Sequence, residues 1–342
     1  MDKSKHLGIS VLICCYNSAA RLPETLRHLA TQFVPAKINW EIIIINNAST
    51  DDTLTVADSE WQQYDMPNVG FKILNQDRLG KNFAFKTGIS HAEYDYILTC
   101  DDDNWLFPDY IAKAFALMQA DETIGALGGC GVFEPQQPFN NQLNGLSGYF
   151  VNGPQTWAES QHWVYGAGSI YKKAVIIDLF NKGWQQITSG RTGTSLICGE
   201  DVEICLAIYL SGYKIIANNE LQFKHFVPLK RQSLSYINNL SYWLSYSSVL
   251  LNSYYVFLNG DKRTIREIND SWLSFAVKTY LKSIILLIFQ KIIKRKSITI
   301  EQKISLNSML GTCSSLMKNR KKIAAHHQLV ARILTSIGST VT

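Results

Sequence analysis

The sequence lacks several of the patterns that identify a protein class directly. It has no internal repeat and no low-complexity segment. It also has no Gly-x-x-x-x-Gly-Lys-Ser/Thr motif, which argues against a P-loop kinase. No Gly-x-Gly-x-x-Gly motif follows the first apolar run, so a dinucleotide site is disfavoured. The composition is otherwise ordinary for a globular protein, since 46% of the 342 residues are hydrophobic and 18% are charged.

Regularly spaced cysteines are also missing. The seven cysteines are an odd number and show no metal-ligand spacing. Five of them lie in apolar runs, where a free cysteine behaves as a small hydrophobic residue: Cys14, Cys15, Cys100, Cys130 and Cys205. This pattern predicts a reducing compartment and excludes a disulfide framework.

Acidic residues are scarce near the C-terminus. From Asp261 onward the chain has 15 Lys/Arg and 4 Asp/Glu, a net charge of +11, whereas the first 260 residues have 18 and 24, a net charge of −6. This asymmetry predicts an anionic partner for the tail, either membrane lipid or nucleic acid. A solvated basic helical face is the alternative.

Apolar runs and amphipathic segments alternate through the first 130 residues. They predict strands at 9–16, 40–50, 71–76, 94–100 and 124–133, and helices at 22–32, 51–64, 81–91 and from 107. The alternation is typical of βαβ units in an α/β fold, with a mostly parallel sheet flanked by helices. A further helix is predicted from Glu200 to Gly212, and a last strand at 213–217. Because the alternation then stops, we predict one domain at 1–231 and a helical, basic C-terminal extension at 232–342.

Polar or charged residues follow four of the predicted strands. They read "YNS", "NNASTD", "NQDRLGKN" and "CDDDN", and ligands bind at the carboxyl ends of strands in an open sheet. In the last of these, Asp101, Asp102 and Asp103 are adjacent, and a divalent cation would relieve their mutual repulsion. Asp101 and Asp103 share one side of an extended backbone, while Asp102 points elsewhere. An acidic turn that caps the next helix is the alternative.

The chain resembles the family 2 glycosyltransferases, which have the GT-A fold. Five segments carry the resemblance, in the order "SVLICCYN", "IIIINNASTDDT", "RLGKNFAFKTGI", "YILTCDDDNWLFPDYI" and "GEDVEICLAIYLSGYKI", within residues 8–217. The resemblance implies a nucleotide-sugar-dependent catalytic domain at 1–231. It implies an inverting transfer of a sugar from a nucleotide-diphosphate donor to an acceptor hydroxyl, usually with Mn²⁺ or Mg²⁺. The acceptor would be a glycan or lipid-linked glycan in lipopolysaccharide, O-antigen or capsule assembly, and no nucleic acid is expected.

The same resemblance suggests the catalytic and metal-binding residues. Asp101 and Asp103 match the two acidic positions of the family's Asp-x-Asp motif, and Asp103 is expected to be the stronger metal ligand. His225 is a third candidate ligand, as in some relatives with this fold. Asp201 matches the family's Glu-Asp base position and is preferred over Glu200 as the base that removes the acceptor proton. Ordinary stabilisation of acids at a helix N-terminus is the alternative explanation of this pair.

Most of the predicted donor-binding residues follow the predicted strands. The full set is Tyr16, Asn17, Asn46, Asn47, Asp51, Arg78, Lys81, Asp101, Asp102, Trp163 and Gly168. Asn46 stands where the family usually has an Asp that helps to read the base, so the nucleotide stays open. Turn and capping chemistry is the alternative for Asn46 and Asn47, and a solvated basic loop is the alternative for Arg78 and Lys81. For Asp51 the alternative is an acid in the first turn of a helix, which needs no function to explain it.

Two other classes of function stay open at this point. A nucleotidyltransferase uses a similar sheet and a metal, but it typically has a Gly-rich basic loop after the first strand, and "YNSAARLPE" does not match one. A non-catalytic, membrane-associated scaffold with a relic site would bind lipid vesicles but no nucleotide.

The tail contains one long apolar segment, residues 271–297. Lys278 and Lys282 interrupt it, and the clean apolar part is too short to span a bilayer of ~30 Å. With the basic residues that follow, it resembles an interfacial amphipathic helix. We therefore predict a cytoplasmic protein whose tail docks peripherally on the anionic inner face of the cell membrane. The alternatives are a helical layer packed on the catalytic domain and an oligomer contact.

Overall fold

The computed structural model describes residues 6–139, 143, 145–190 and 196–338. The chain divides into two compact units. The first comprises Met1–Pro138, Phe150–Lys182 and Glu200–Pro228, and the second comprises Phe139–Tyr149, Gly183–Gly199 and Leu229–Thr342. A compact unit is not by itself a functional domain, so the division predicted at residue 231 stays a prediction.

The first unit is built on a mixed β-sheet. In the described residues its strands are β1 Gly8–Cys15, β2 Asn39–Asn46, β3 Gly70–Asn75, β4 Tyr96–Thr99, β5 Asn104–Leu106, β6 Ile124–Pro135, β7 Ile170–Lys172 and β8 Lys214–Val227. Their order in the sheet is β3-β2-β1-β4-β7-β6-β8-β5. The pairings among β1–β4 are parallel, and so is that of β6 with β8. Strand β7 runs antiparallel to both neighbours, and β5 runs antiparallel to β8.

Helices cover the sheet and make up most of the second unit. Those of the first unit are α1 Leu22–Ala30, α2 Thr53–Gln62, α3 Lys81–His91, α4 Tyr110–Ala120, α5 Ala158–Gln161, α6 Lys173–Asn181 and α7 Glu200–Leu210. Those of the second unit are α8 Leu234–Leu250, α9 Asn252–Leu258, α10 Ile265–Ile292 and α11 Ile300–Ile337. The apolar stripe of α1, Leu22, Leu26 and Leu29, is buried in one core cluster with residues of β1, because the 3.6-residue period puts all three on one helix face.

Most of the predicted elements are confirmed, but the predicted length of the last strand is wrong. It was expected at 213–217, whereas β8 spans fourteen residues. The polar residues in segment 218–221 are typical of a turn, so the sequence pattern does not predict that the strand continues beyond them. In the sheet this segment forms an irregularity between Gly128 and Cys130 of β6, where the register jumps from Ala217 to Gln222. The long strand resumes after this irregularity and carries His225.

Small residues let two long helices of the second unit approach closely. A Cβ on Gly311 of α11 would lie 2.2 Å from the carbonyl oxygen of Tyr242 on α8. The hydroxyls of Ser245 and Ser308 hydrogen-bond across the same pair of helices. The helices therefore meet almost backbone to backbone, which a larger residue at position 311 would prevent.

The apolar segment of the tail forms one continuous helix. Its clean apolar part is too short to cross a membrane, but α10 as a whole has 28 residues, and by length and composition alone it could cross one. The uninterrupted apolar run is shorter than the helix, because the helix runs through Lys278 and Lys282 without a break. The peripheral docking of the tail stays a prediction.

A buried histidine lies in the second unit. The Nδ1 atom of His326 lies 3.0 Å from Oγ of Ser253, and its Nε2 atom lies 2.8 Å from the carbonyl oxygen of Gln185. Burial lowers the pKa of His326, and the charges of Lys322 and His327 lower it further. The hydrogen bond to the Gln185 carbonyl oxygen acts in the opposite direction but does not outweigh burial.

We expect the protein to lose stability as the pH falls below about 6.5, the ordinary pKa of histidine. The unfolded chain then takes up a proton that the buried ring of His326 does not, so protonation favours unfolding. The stabilisation is present above that pH and is lost as the pH falls toward the lowered folded pKa. His326→Gln should flatten this part of the pH profile of urea unfolding, whereas His91→Gln, at an exposed histidine, should not. An unaltered profile in His326→Gln would contradict the assignment.

Candidate active site

The three consecutive aspartates lie between β4 and β5, and each has a different basic neighbour. Oδ1 of Asp101 accepts a hydrogen bond of 2.8 Å from Nζ of Lys81. Oδ2 of Asp102 forms a short ion pair with Arg21. Oδ1 of Asp103 lies 3.9 Å from Nε2 of His225. The mutual repulsion that the sequence implied is thus offset within the protein at Asp101 and Asp102.

Lys81 connects three elements of the first unit. It is the first residue of α3, its partner Asp101 follows β4, and its Nζ also lies 3.8 Å from Oε1 of Glu200, the first residue of α7. Burial would lower the pKa of Lys81, but the carboxylates of Asp101 and Glu200 raise it above the ordinary lysine value. The ammonium group therefore stays charged and holds two predicted site residues together.

Asp103 and His225 come together because β5 pairs with β8. The antiparallel register sets Asn104 opposite His225, and the backbone N–H of Phe226 donates to the carbonyl oxygen of Asp103 over 2.8 Å. The side chain of Asp103 also accepts a 3.2 Å hydrogen bond from Nδ2 of Asn104, and only 4% of the residue's surface is exposed. Strand pairing thus fixes a carboxylate beside an imidazole that lies 122 positions away in the sequence.

Asp201 is the second residue of α7, and both of its carboxylate oxygens accept backbone hydrogen bonds. Gly166 N–H donates to Oδ2 over 2.6 Å, and Val202 N–H donates to Oδ1 over 2.8 Å. A Cβ on Gly166 would lie 3.0 Å from Cβ of Asp201, so glycine permits this approach. Each carboxylate oxygen has two lone pairs, which leaves acceptor capacity for a substrate hydroxyl.

Gly168 lies in the same loop and adopts a left-handed backbone conformation. Its φ is +68°, and a Cβ there would lie 2.7 Å from the Tyr110 hydroxyl oxygen and 2.9 Å from the Phe223 ring. The Tyr110 hydroxyl donates a hydrogen bond of 2.5 Å to the Gly168 carbonyl oxygen. These contacts give Gly168 a packing role, and its predicted donor contact stays a prediction.

Three of the predicted donor-binding residues hydrogen-bond within the loops that follow the strands. Nδ2 of Asn47 donates to the carbonyl oxygens of Gln76 and Arg78, and its Oδ1 accepts from Gly80 N–H. Oδ1 of Asn17 accepts from Thr50 N–H, and Asp51 accepts from Ala19 N–H and from Thr53. Burial would raise the pKa of Asp51, but the bonds from Thr53 and Ala19 lower it. These bonds agree with the turn and capping chemistry given as the alternative for Asn47.

The other predicted donor-binding residues differ in exposure, and Asn46 is buried. Asn46 donates from Nδ2 to Oδ1 of Asn75 at the end of the neighbouring strand. Tyr16 is exposed, and the guanidinium of Arg78 lies 3.8 Å from the centre of the Phe83 ring. The ring of Trp163 packs 5.3 Å from that of Trp157, centre to centre. A donor contact by these side chains stays a prediction.

The residues present fit a hard divalent cation. Mg²⁺ and Mn²⁺ typically bind one or two protein carboxylates together with substrate phosphates, and a neutral imidazole is a further suitable ligand. Asp103 and His225 would supply one ligand of each kind. Within the part of the chain that the structure describes, no group of three or more His, Cys, Asp or Glu side chains forms a metal site. Asp101, the other predicted ligand, faces Lys81.

Sequence reasoning missed Arg21. It directly precedes α1, and its guanidinium reaches Asp102, while the Thr25 hydroxyl donates to the Asp102 carbonyl oxygen over 2.9 Å. Burial and the neighbouring charge of Asp103 raise the pKa of Asp102, and Arg21 opposes that rise. The sequence feature that could have identified Arg21 is its position as a basic residue in the polar segment after β1, comparable to Arg78 and Lys81 after β3.

We expect Arg21→Met to lower the free energy of unfolding by about 3 kcal/mol, because it leaves the buried Asp102 carboxylate without its cation. Arg27→Met is a matched control within α1, since Arg27 pairs with Glu24 on the surface and such pairs contribute less than about 1 kcal/mol. Urea unfolding of both variants tests this. Equal losses of unfolding free energy in the two variants would show that the Arg21–Asp102 pair stabilises the protein no more than the surface pair Arg27–Glu24 does.

A mixed sheet with carboxylates gathered at the end of a central strand is the arrangement expected of a GT-A glycosyltransferase. Residues 10–180, half of the chain, match the family model described as glycosyl transferase family 2. The chain therefore belongs to glycosyl transferase family 2, and the predicted family is confirmed.

Two curated relatives have the same name. A poly-beta-1,6-N-acetyl-D-glucosamine synthase of Staphylococcus aureus is 26% identical over 212 residues, which cover 61% of this chain and 47% of the synthase. The synthase of that name from Staphylococcus epidermidis is 24% identical over 220 residues, covering 62% and 49%. The chain thus spans about half the length of the curated relatives it matches.

A solved structure supports the fold. Mannosyltransferase PcManGT from Pyrobaculum calidifontis, in complex with GDP-Man and Mn²⁺, is 16% identical, with a TM-score of 0.51 over 96% of this chain and 86% of that one. This likeness concerns the fold alone, and the predicted GT-A-like fold is confirmed.

Proposed function

We propose that this chain is an inverting, metal-dependent glycosyltransferase that moves a sugar from a nucleotide-diphosphate donor to an acceptor hydroxyl. One observation carries the proposal: Lys81 contacts both Asp101 and Glu200, so the carboxylates after β4 and at the start of α7 lie at one site within the first unit. Carboxylates at two such positions suit the two tasks of the reaction, which are holding the donor and deprotonating the acceptor.

Asp103 and His225 would hold Mn²⁺ or Mg²⁺, which neutralises charge on the diphosphate when it is bound. Arg78 and Lys81 would provide further positive charge for the leaving group. Asp101 would accept a hydrogen bond from a hydroxyl of the donor, beside its bond from Lys81.

Asp201 would act as the base. Its carboxylate takes the proton of the acceptor hydroxyl while that oxygen forms a bond to the anomeric carbon of the sugar. The bond from the anomeric carbon to the diphosphate oxygen breaks, and the nucleoside diphosphate leaves with the electron pair. Attack from the face opposite the leaving group inverts the anomeric configuration.

The donor and acceptor classes follow from the family and the relatives. A nucleoside-diphosphate sugar is the expected donor, in keeping with the GDP-Man complex of PcManGT. The curated relatives are named as synthases of an N-acetylglucosamine polymer, so a glycan or lipid-linked glycan of the cell surface is the expected acceptor. Reaction with such acceptors is expected at the cytoplasmic side of the membrane.

The test is calorimetric titration of the full chain with UDP, GDP and their common sugar conjugates, with and without Mn²⁺. Binding of one nucleotide that strengthens with Mn²⁺ would support the proposal and name the donor base. A folded protein that binds none of them would overturn it and favour a non-catalytic scaffold. Release of pyrophosphate rather than a nucleoside diphosphate during turnover would instead indicate a nucleotidyltransferase.

A further inference from the structure

Helix α10 has an inner face that packs and an outer face that is exposed. Five side chains on the inner face belong to the apolar cluster of the second unit: Trp272, Leu273, Ala276, Val277 and Tyr280. Their spacing of three and four residues fits one helix face. This face is therefore fixed to the protein, and only the opposite side of α10 is open to a partner.

Exposed apolar side chains are concentrated on and just after α10. Eight of the sixteen exposed large apolar side chains in the described residues fall between positions 275 and 293. We call these eight the α10 patch: Phe275, Leu281, Ile285, Leu286, Ile288, Phe289, Ile292 and Ile293. A cluster of this kind is unusual on a soluble monomer and marks an interaction site.

Positive charge surrounds the α10 patch. From Ser271 to Ile300 the sequence has six Lys/Arg residues and no Asp or Glu. The six are all exposed, and none forms an ion pair with another described residue: Lys278, Lys282, Lys291, Lys294, Arg295 and Lys296.

The second basic segment, 318–322, differs. Arg320 there pairs with Asp270 over 2.6 Å, and Lys322 donates to the Ile187 carbonyl oxygen over 2.7 Å. Lys318 and Lys321 of this segment are also exposed, but Met317 is the single large apolar side chain exposed next to them, whereas eight such side chains lie with the cations of α10.

We propose that the α10 patch docks the protein on an anionic lipid bilayer, with α10 lying along the surface. Lipid tails would accept the apolar side chains, and anionic headgroups would neutralise the six cations. This proposal goes beyond the sugar transfer and does not rest on it, since every residue involved lies in the second unit.

Two other arrangements fit the observations less well. If α10 crossed the bilayer, Lys278 and Lys282, near the middle of the helix, would lie in hydrocarbon, where each charge costs about 3 kcal/mol. A two-fold dimer through the α10 patch would set six positive charges against the same six with no carboxylate between them. A bilayer surface avoids both penalties, because lysines beside the patch can reach the headgroups.

The test is co-sedimentation of the full chain with vesicles of phosphatidylcholine and phosphatidylglycerol, compared with vesicles of phosphatidylcholine alone. We expect binding that requires the anionic lipid and weakens with salt. Lys294→Ser/Lys296→Ser should lower the partition coefficient roughly thirtyfold, and Phe275→Ser by at least about tenfold.

Matched controls are available for both kinds of change. Lys318→Ser/Lys321→Ser removes the same charge from exposed positions outside the patch, and Phe33→Ser removes an aromatic ring that is 74% exposed, against 69% for Phe275. Neither control should lower vesicle binding more than about twofold. Circular dichroism would establish that each variant is folded.

Three outcomes would overturn the proposal. In the first, the folded wild-type chain stays in the supernatant with anionic vesicles at low salt. In the second, the Lys318/Lys321 control loses as much binding as Lys294→Ser/Lys296→Ser, so general charge and not the patch is responsible. In the third, alkaline carbonate fails to release the protein from membranes, so α10 spans the bilayer. Nucleotide titration of the same samples distinguishes failure of membrane docking from failure of the proposed transferase function.

Discussion

Asp103→Ala is expected to lower the rate of sugar transfer at least about a hundredfold and to abolish any strengthening of nucleotide binding by Mn²⁺. Asp103 is the aspartate of the three that lies beside an imidazole, with its Oδ1 atom 3.9 Å from Nε2 of His225. The other two already lie beside a lysine and an arginine. A bound cation would therefore lose its main carboxylate in this variant, while the local ion pairs stay intact.

Control variants make the test specific. Asp103 is buried, so Asp103→Asn is included, because its side chain keeps the size of the original and can still accept the hydrogen bond from Asn104. Asp109→Ala removes an exposed carboxylate that pairs with Lys113, and it should leave transfer unaltered. If folded Asp103→Ala kept the wild-type rate and the wild-type response to Mn²⁺, the metal assignment would be wrong. Steady-state rates and calorimetry with and without Mn²⁺ are the measurements.

The parts of the fold that were predictable are those encoded by local periodicity. Helix α3 was predicted at 81–91 and spans Lys81–His91, and the buried runs of β1 and β2 were evident as continuous apolar segments. Such runs are expected for parallel strands with both faces covered. The local pattern is sufficient to predict an element when the element's own sequence determines which of its residues are buried.

The sheet's remaining features depend on distant pairing and were not predictable from local pattern. Strand β5 has three residues, too few for a period to show. It exists because it pairs with the remote strand β8, and the pairing of β7 with both β4 and β6 is equally non-local. The antiparallel pairing of β5 is also what brings His225 beside Asp103, so the candidate metal site depends on a pairing that the sequence does not reveal.

The geometry of the candidate site was only partly predictable from the sequence. The sequence correctly brought the segments after β1, β2, β3 and β4 to one edge, as their mutual hydrogen bonds demonstrate. It could not separate side chains that stabilise these loops, such as Asn17 and Asn47, from those left for a ligand. Both tasks use the same residue types, because short polar side chains bond backbone and substrate groups equally well.

Asp201→Asn is expected to lower the rate constant for transfer about a thousandfold while donor affinity stays within about twofold of wild type. The amide oxygen can still accept the hydrogen bond from Gly166 N–H, so the loop keeps its position. The amide group cannot take a proton from the acceptor hydroxyl. The hydrogen bond from Val202 N–H is the expected structural loss, at about 1 kcal/mol of stability.

Glu200→Gln is the matched comparison for this variant, because it neutralises the adjacent carboxylate on the same helix. Glu200 faces Lys81, so its loss should weaken the positioning of that lysine and affect donor binding more than the proton transfer. Single-turnover rates with saturating donor separate the two effects, since they report the chemical step alone. If Glu200→Gln reduced that step as strongly as Asp201→Asn, and Asp201→Asn also weakened donor binding, the assignment of Asp201 as the base would fail. In that case the two acids would act together in holding the donor, and the base would have to be sought elsewhere in the first unit.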